Sequence, residues 1–191
     1  ASLMAGLDPA RVGITDYLRA NDAKYLSPER PAIAKALAAA GYRTGLIGKW
    51  HLMGDYKARR GDPKLHGFDQ VICSETSYIG PGYYWHPYKH LAGLPARRPG
   101  EYLTDRLNQE AVDFIARSAV SPQPFFLYLS HFGVHSPWDA KKELIEKYKK
   151  KPGVNGHDDP VYAAMIESID QSVGRVLAKL AELKLEENTI V

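Results

Sequence analysis

The chain has 191 residues, of which 45% are hydrophobic and 25% charged, and its net charge is only +3. That is an ordinary composition for a globular protein with one sizeable core. It gives no argument for nucleic acid as a partner, and Cys73, the only cysteine, leaves no internal disulfide. No apolar run approaches the roughly 20 residues of a membrane span, and no signal peptide is visible. Lys and Arg are scattered. Their densest cluster, Lys147 with Lys149, Lys150 and Lys151, follows a helical pattern and reads as a solvated helix end, where cations suit the dipole.

Helical and strand-like segments alternate, the pattern of an α/β fold with a largely parallel sheet flanked by helices. Ser27 can cap a helix whose first turn holds Pro28 and Glu29. Ile33, Ala34, Leu37 and Ala40 follow at helical spacing, and Gly41 sits where a left-handed terminating residue is wanted. Tyr42 to Trp50 then reads as a buried strand. From Asp55 to Gly100 the periodicity is lost in a stretch rich in Gly, Pro, Tyr and His, with one hydrophobic strand expected from Phe68 to Cys73. A loop region this long is either an active-site wall or a surface insertion.

Thr104 is the expected cap of a helix carrying Leu107, Ala111, Phe114 and Ile115 as one apolar stripe. Phe125 to Ser130 is a strong strand, and Asp139 to Lys150 a shorter helix. A long helix from about Pro160 to Leu183 is expected to turn Met165, Ile166, Ile169, Val173, Val176, Leu177 and Leu180 inward. Asn188 to Val191 begins a further strand. That strand stops at its most apolar point and the chain starts without Met, so an internal piece of a longer protein is expected.

Two strand ends carry chemistry. Lys49 and His51 follow the first strand, where open α/β sheets place their ligands. On an extended chain they would project to the same side. A fixed cation beside an imidazole suits a tetrahedral anion, although spacing alone describes an exposed lysine and a surface histidine at least as well. Gly48 and Gly54 would allow backbone and ligand to approach closely. The second end is Ser130 to Trp138, with His131 and His135. Their spacing is that of a helical metal pair, but Gly133 and Pro137 disfavour a helix, so a substrate-binding histidine in a loop fits better than structural zinc.

Other candidates are weaker. His86 and His90 lie in an aromatic run from Tyr83, which could line a sugar or aryl pocket or pack the loop onto the body, the latter being preferred. Asp158 and Asp159 precede a helix and read as caps rather than metal ligands. Cys73 ends an apolar strand and reads as inert. There is no phosphate-binding glycine loop and no Gly-x-Ser-x-Gly elbow.

Several segments in order carry a family resemblance. Ala39 to Leu52, with Gly48-Lys49-Trp50-His51-Leu52 at its centre, resembles a signature of the sulfatases. Ala1 to Arg11 resembles the segment that follows the modified cysteine of that family. Pro124 to Tyr128 through His135-Ser136-Pro137 resembles its substrate-histidine strand, and Tyr162 to Asp170 through Val191 the helix and strand before its second metal motif. The resemblance spans nearly the whole chain.

It implies an alkaline-phosphatase-like α/β/α sandwich, incomplete here. Residues 1–191 would be a partial catalytic domain lacking the nucleophile and metal segment on one side and the C-terminal part on the other. It further implies hydrolysis of sulfate esters by a formylglycine nucleophile with calcium or magnesium, and a sulfated small molecule or carbohydrate as substrate. Carried over by position, Lys49 would bind sulfate and steady the nucleophile. His51 would bond its diol and help expel sulfate, and His135 would contact the sulfate or the leaving oxygen. The Cys/Ser-x-Pro-Ser-Arg motif, the upstream paired aspartates, and the later Asp-Asn pair with its lysine are all absent, so no metal ligands are expected in this piece, which alone would be inactive. The loop residue that the family uses between 74 and 90 has no fixed counterpart, Ser77 being one candidate. A phosphatase, phosphodiesterase or phosphonate hydrolase of the same superfamily, or a non-catalytic truncated module, are the alternatives. Family members are mostly exported or lysosomal, so a periplasmic, secreted or lysosomal location is implied. Sheet edges left unpaired would make the isolated chain weakly stable.

Overall fold

The structure is a computed structural model that describes residues 1–78, 83–91 and 94–191. Among them the order of elements is α1 (Ser2–Ala5), α2 (Pro9–Val12), α3 (Ile33–Ala39), β1 (Arg43–Gly48), a 3-10 helix (Pro63–His66), β2 (Gln70–Ile72), α4 (Leu103–Ala119), β3 (Phe125–Ser130), α5 (Lys142–Lys149), α6 (Pro160–Glu182) and a closing 3-10 turn (Glu186–Asn188). The chain divides into two compact units, residues 1–78 with 117–130, and residues 79–116 with 131–191. No helix of the described residues is long and apolar enough to cross a membrane.

The first unit holds the sheet. Its order is β2-β1-β3, and both pairings are parallel, Gly45 opposite Gln70 on one side and Gly48 opposite Ser130 on the other. The central strand is apolar because both its faces are covered, and Thr44 to Gly48 are all buried. Thr44 is the polar exception and is fully paired. Its hydroxyl donates to the Gly67 carbonyl at 2.6 Å and accepts from the Asp69 amide at 2.9 Å. Met4, Val12, Leu26, Ala34, Leu46, Trp50 and Phe68 form the core. Trp50 meets Phe68 edge-on at 5.9 Å, and Phe68 stacks on Phe126 at 6.2 Å.

The helix expected from Ser27 starts later, at Ile33. Residues 27–30 form a turn closed by the Arg30 amide on the Ser27 carbonyl at 3.1 Å. Pro31 explains the delay, because it lacks a donor and keeps the preceding Arg30 out of helical dihedrals. At the other end Gly41 has φ 86, the expected left-handed terminator. The strands are shorter than expected, β1 ending at Gly48 rather than Trp50 and β2 covering only Gln70–Ile72, whereas β3 has the expected bounds.

The second unit is helical. In α4 the stripe Leu107, Ala111, Phe114 and Ile115 is buried as expected, but the helix already starts at Leu103, so Thr104 lies inside its first turn instead of capping it. Arg106 lies buried between Glu101 (3.1 Å) and Glu110 (2.8 Å). Arg97 adds bonds to Glu110 at 2.7 Å and Asp113 at 2.6 Å, tying the segment before the helix to its flank. Asp159 caps α6 by accepting from the Val161 and Tyr162 amides, each at 2.8 Å.

The buried side of α6 differs from the expected one. Ala164, Met165, Ser168, Ser172 and Leu180 are buried, while Ile166, Val173 and Leu177 are exposed. The expected strand from Asn188 is absent. Asn188 closes a 3-10 turn through its amide on the Leu185 carbonyl at 3.1 Å, and Thr189 to Val191 have no strand beside them among the described residues to supply a ladder.

Candidate functional site

The best-formed polar cluster of the first unit lies where β1 ends. Gly48 has φ 102, a conformation that side chains disfavour. The Lys49 amide still continues the ladder, donating to the Ser130 carbonyl at 2.8 Å. The chain then turns, and His51 takes a left-handed φ of 48. Lys49 and His51 are therefore not successive same-side residues of a strand, and the alternation argument does not apply to them. They are organised by a side chain that sequence reasoning did not single out. Glu75, buried, accepts from the Trp50 amide at 2.9 Å and the His51 amide at 2.5 Å, one carboxylate oxygen for each.

Trp50 anchors the turn, its ring in the core and its indole N–H on the Gly61 carbonyl at 2.8 Å. The His51 Nε2 lies 2.9 Å from the Leu18 carbonyl. A carbonyl only accepts, so Nε2 carries a hydrogen, and in the neutral ring Nδ1 carries the lone pair. Tyr78 packs edge-on against the His51 ring at 5.3 Å and donates to the same Leu18 carbonyl at 2.7 Å. Tyr56 closes the cluster, donating to Glu75 at 3.3 Å and meeting the Tyr78 ring at 5.2 Å. Burial raises the pKa of both phenols.

Lys49 is half-buried. Burial lowers the pKa of its ammonium, and the nearby Glu75 charge opposes that effect. Among the described residues its ammonium has no hydrogen-bond or ion-pair partner. A cation withdrawn from water and left unpaired is suited to an incoming anion. Gly54 does not provide space for a ligand, because a Cβ there would lie 2.5 Å from the Asp22 carbonyl oxygen. Its lack of a side chain admits the backbone of the same unit. Ser77 is half-buried and takes no part in these hydrogen bonds.

The second unit contains the other histidines of interest. His135 is exposed in a loop, not a helix, as Gly133 and Pro137 led us to expect. Its amide donates to the Phe132 carbonyl at 3.0 Å and its Nδ1 bonds the Ser136 carbonyl, which places the lone pair of the neutral ring on Nε2. The buried Tyr84 hydroxyl holds the turn from below, 2.7 Å from the His135 carbonyl and 3.0 Å from that of Phe132. His131, just after β3, has both ring nitrogens buried with no hydrogen-bond partner among the described residues, and burial pushes its pKa down to about 4.

The aromatic loop packs inward, as preferred. Tyr84, Tyr88 and His90 are buried, and His90 lies edge-on to Phe132 at 4.7 Å. Cys73 is buried after β2. Asp159 is engaged as a helix cap. Among the described residues no group of three or more His, Cys, Asp or Glu side chains could hold a metal ion.

Comparison with known proteins gives a consistent result. The chain is 28% identical over its whole length to the uncharacterized sulfatase YdeN of Escherichia coli, of which it covers 36%. It is 30% identical to the human N-acetylgalactosamine-6-sulfatase, with 89% of this chain and 32% of that protein covered. The chain thus spans about a third of the length of these relatives. Among solved structures, Ps i-CgsB in complex with k-i-k-neocarrahexaose matches with a TM-score of 0.78 at 27% identity, over 98% of this chain and 45% of that one. The PsFucS1 sulfatase from Pseudoalteromonas sp. shares the fold, with a TM-score of 0.67 at 22% identity over 99% of this chain and 42% of its own. The family model Sulfatase matches residues 1–191, and with its parallel α/β sheet and Gly48-Lys49-Trp50-His51 turn the chain belongs to the sulfatase family.

Proposed function

We propose that the protein containing this chain hydrolyses sulfate esters and that Lys49 and His51 act on the sulfate. The observation that carries this reading is the half-buried Lys49 ammonium at the end of β1, which has no hydrogen-bond or ion-pair partner among the described residues. Two residues further on is a histidine whose tautomer is fixed by the Leu18 carbonyl. Lys49 would bind the sulfate and oppose the charge that grows on its oxygens as the ester bond breaks. His51 would offer Nδ1 toward the attacking group and move a proton as sulfate leaves. The role of His135, a contact to the sulfate or the leaving oxygen, rests on the family resemblance. So do a formylglycine nucleophile and calcium or magnesium, both placed outside residues 1–191, and so does the inactivity of this piece alone. A sulfated carbohydrate or other sulfated small molecule is the proposed substrate class. The relative named N-acetylgalactosamine-6-sulfatase and the oligosaccharide complex of Ps i-CgsB support the carbohydrate.

The test is turnover by the full-length protein. It should release sulfate from an aryl sulfate faster than phosphate from the matching aryl phosphate. Lys49→Ala should lower kcat by roughly 100- to 1,000-fold, the usual effect of losing one charge-stabilising donor, with an unchanged melting temperature. Undiminished turnover in Lys49→Ala would remove Lys49 from the site, and preferred release of phosphate would move the protein to phosphoryl transfer.

A further inference from the structure

We infer that Glu75 is a positioning residue of this site, holding the Lys49–His51 turn in its working shape. The inference rests on the sulfate-ester reading for what the turn does, and on geometry for what Glu75 does to it. Glu75 lies 24 residues beyond His51 in the chain, yet its buried carboxylate receives the amides of both Trp50 and His51. These two donors belong to a turn that leaves the sheet, so no strand partner satisfies them. Without the carboxylate both amides would lose a buried charged acceptor, and the left-handed His51 would lose the bond to its own amide.

The charge of the same carboxylate favours the protonated form of Lys49, against the effect of burial. Among the described residues, Tyr56, Tyr78 and His51 are titratable groups of the same cluster. Both phenols are kept neutral by burial. A lysine that must bind an anion has to be protonated before the anion arrives, and burial works against that. A carboxylate tied up by two amides and a phenol can supply the field without closing into an ion pair, which would neutralise the lysine as a sulfate ligand. No such pair is formed.

Glu75→Gln separates these effects from simple scaffolding. It keeps the size of the side chain, can accept from only one of the two amides, and removes the charge. In the full-length protein we expect kcat/KM on an aryl sulfate to fall roughly 10- to 100-fold, the scale of a small misplacement of catalytic groups. We also expect the alkaline limb of its pH profile to move to lower pH, because Lys49 loses its proton more easily. Glu75→Asp, which keeps the charge, should return that limb toward its original position. Unchanged kcat/KM in Glu75→Gln would overturn the positioning role, and an alkaline limb that stays in place would remove its effect on Lys49. If the wild-type protein releases no sulfate, the functional reading fails by itself. Hydrogen exchange at the Trp50 and His51 amides then judges Glu75 alone. Faster exchange at both in Glu75→Gln than in the wild type supports the positioning role, and unchanged exchange rejects it.

Discussion

His131 offers a quantitative test of the second unit. Its two ring nitrogens are buried without a partner among the described residues, and burial depresses its pKa from the ordinary 6.5 to about 4. The unfolded chain therefore binds a proton at mildly acidic pH that the folded chain refuses. Stability from this group is complete above pH 6.5 and is lost as pH falls toward the folded value. At pH 5.0 the difference amounts to about 2 kcal/mol relative to pH 7.5, from 1.36 kcal/mol for each unit between the two pKa values. With an m-value of about 2 kcal/mol/M this is about 1 M in the urea midpoint. Other groups titrate in the same range, so the measurement is a difference. His131→Phe fills similar space without nitrogens to satisfy and has nothing to protonate. Urea unfolding of both proteins at pH 7.5 and pH 5.0 should show the wild type losing about 2 kcal/mol more than the variant. Equal losses in the two proteins would show that the imidazole is not held dry, and the argument would fail.

Two further substitutions test how the helical unit is tied together. Arg106→Met removes the buried cation that Glu101 and Glu110 share and should cost about 3–5 kcal/mol in chemical denaturation. Asp159→Ala removes the acceptor for the Val161 and Tyr162 amides and should cost about 1 kcal/mol, with faster hydrogen exchange confined to the first turn of α6.

The fold was legible wherever a segment's own pattern decides its structure. Phe125 to Ser130 is hydrophobic up to its last residue, and β3 has those bounds. The α4 stripe is strictly periodic and is buried as read. Reading failed where a neighbour decides. The buried side of α6 contains Ser168 and Ser172 in place of Ile166 and Val173. A serine hydroxyl can be satisfied within the helix, as Ser168 shows by donating to the Ala164 carbonyl at 2.9 Å, and small residues let another element come close. Counting apolar side chains misses both effects. Pro31 was a local signal that should have outweighed Ser27 and Pro28. At the candidate site, Lys49 and His51 stand in a recognisable segment, but the turn that carries them was not legible. It depends on Glu75 and on the Leu18 carbonyl, one from a segment without periodicity and the other a backbone atom.

The energetics of the turn explain why such distant partners are needed. A left-handed φ at a residue with a Cβ costs roughly 1–2 kcal/mol, and His51 pays it. An ordinary hydrogen bond contributes about 1 kcal/mol, and one to a charged acceptor about 1.5–3 kcal/mol. The Leu18 bond alone would therefore barely offset the strain, whereas the two bonds to Glu75 exceed it. This places His51 in its conformation before any ligand arrives, so binding would not have to supply the ordering. Preorganised polar groups act on developing charge without reorganising at the moment of reaction, and if the turn binds sulfate as proposed, that preorganisation would depend on one carboxylate outside the signature segment.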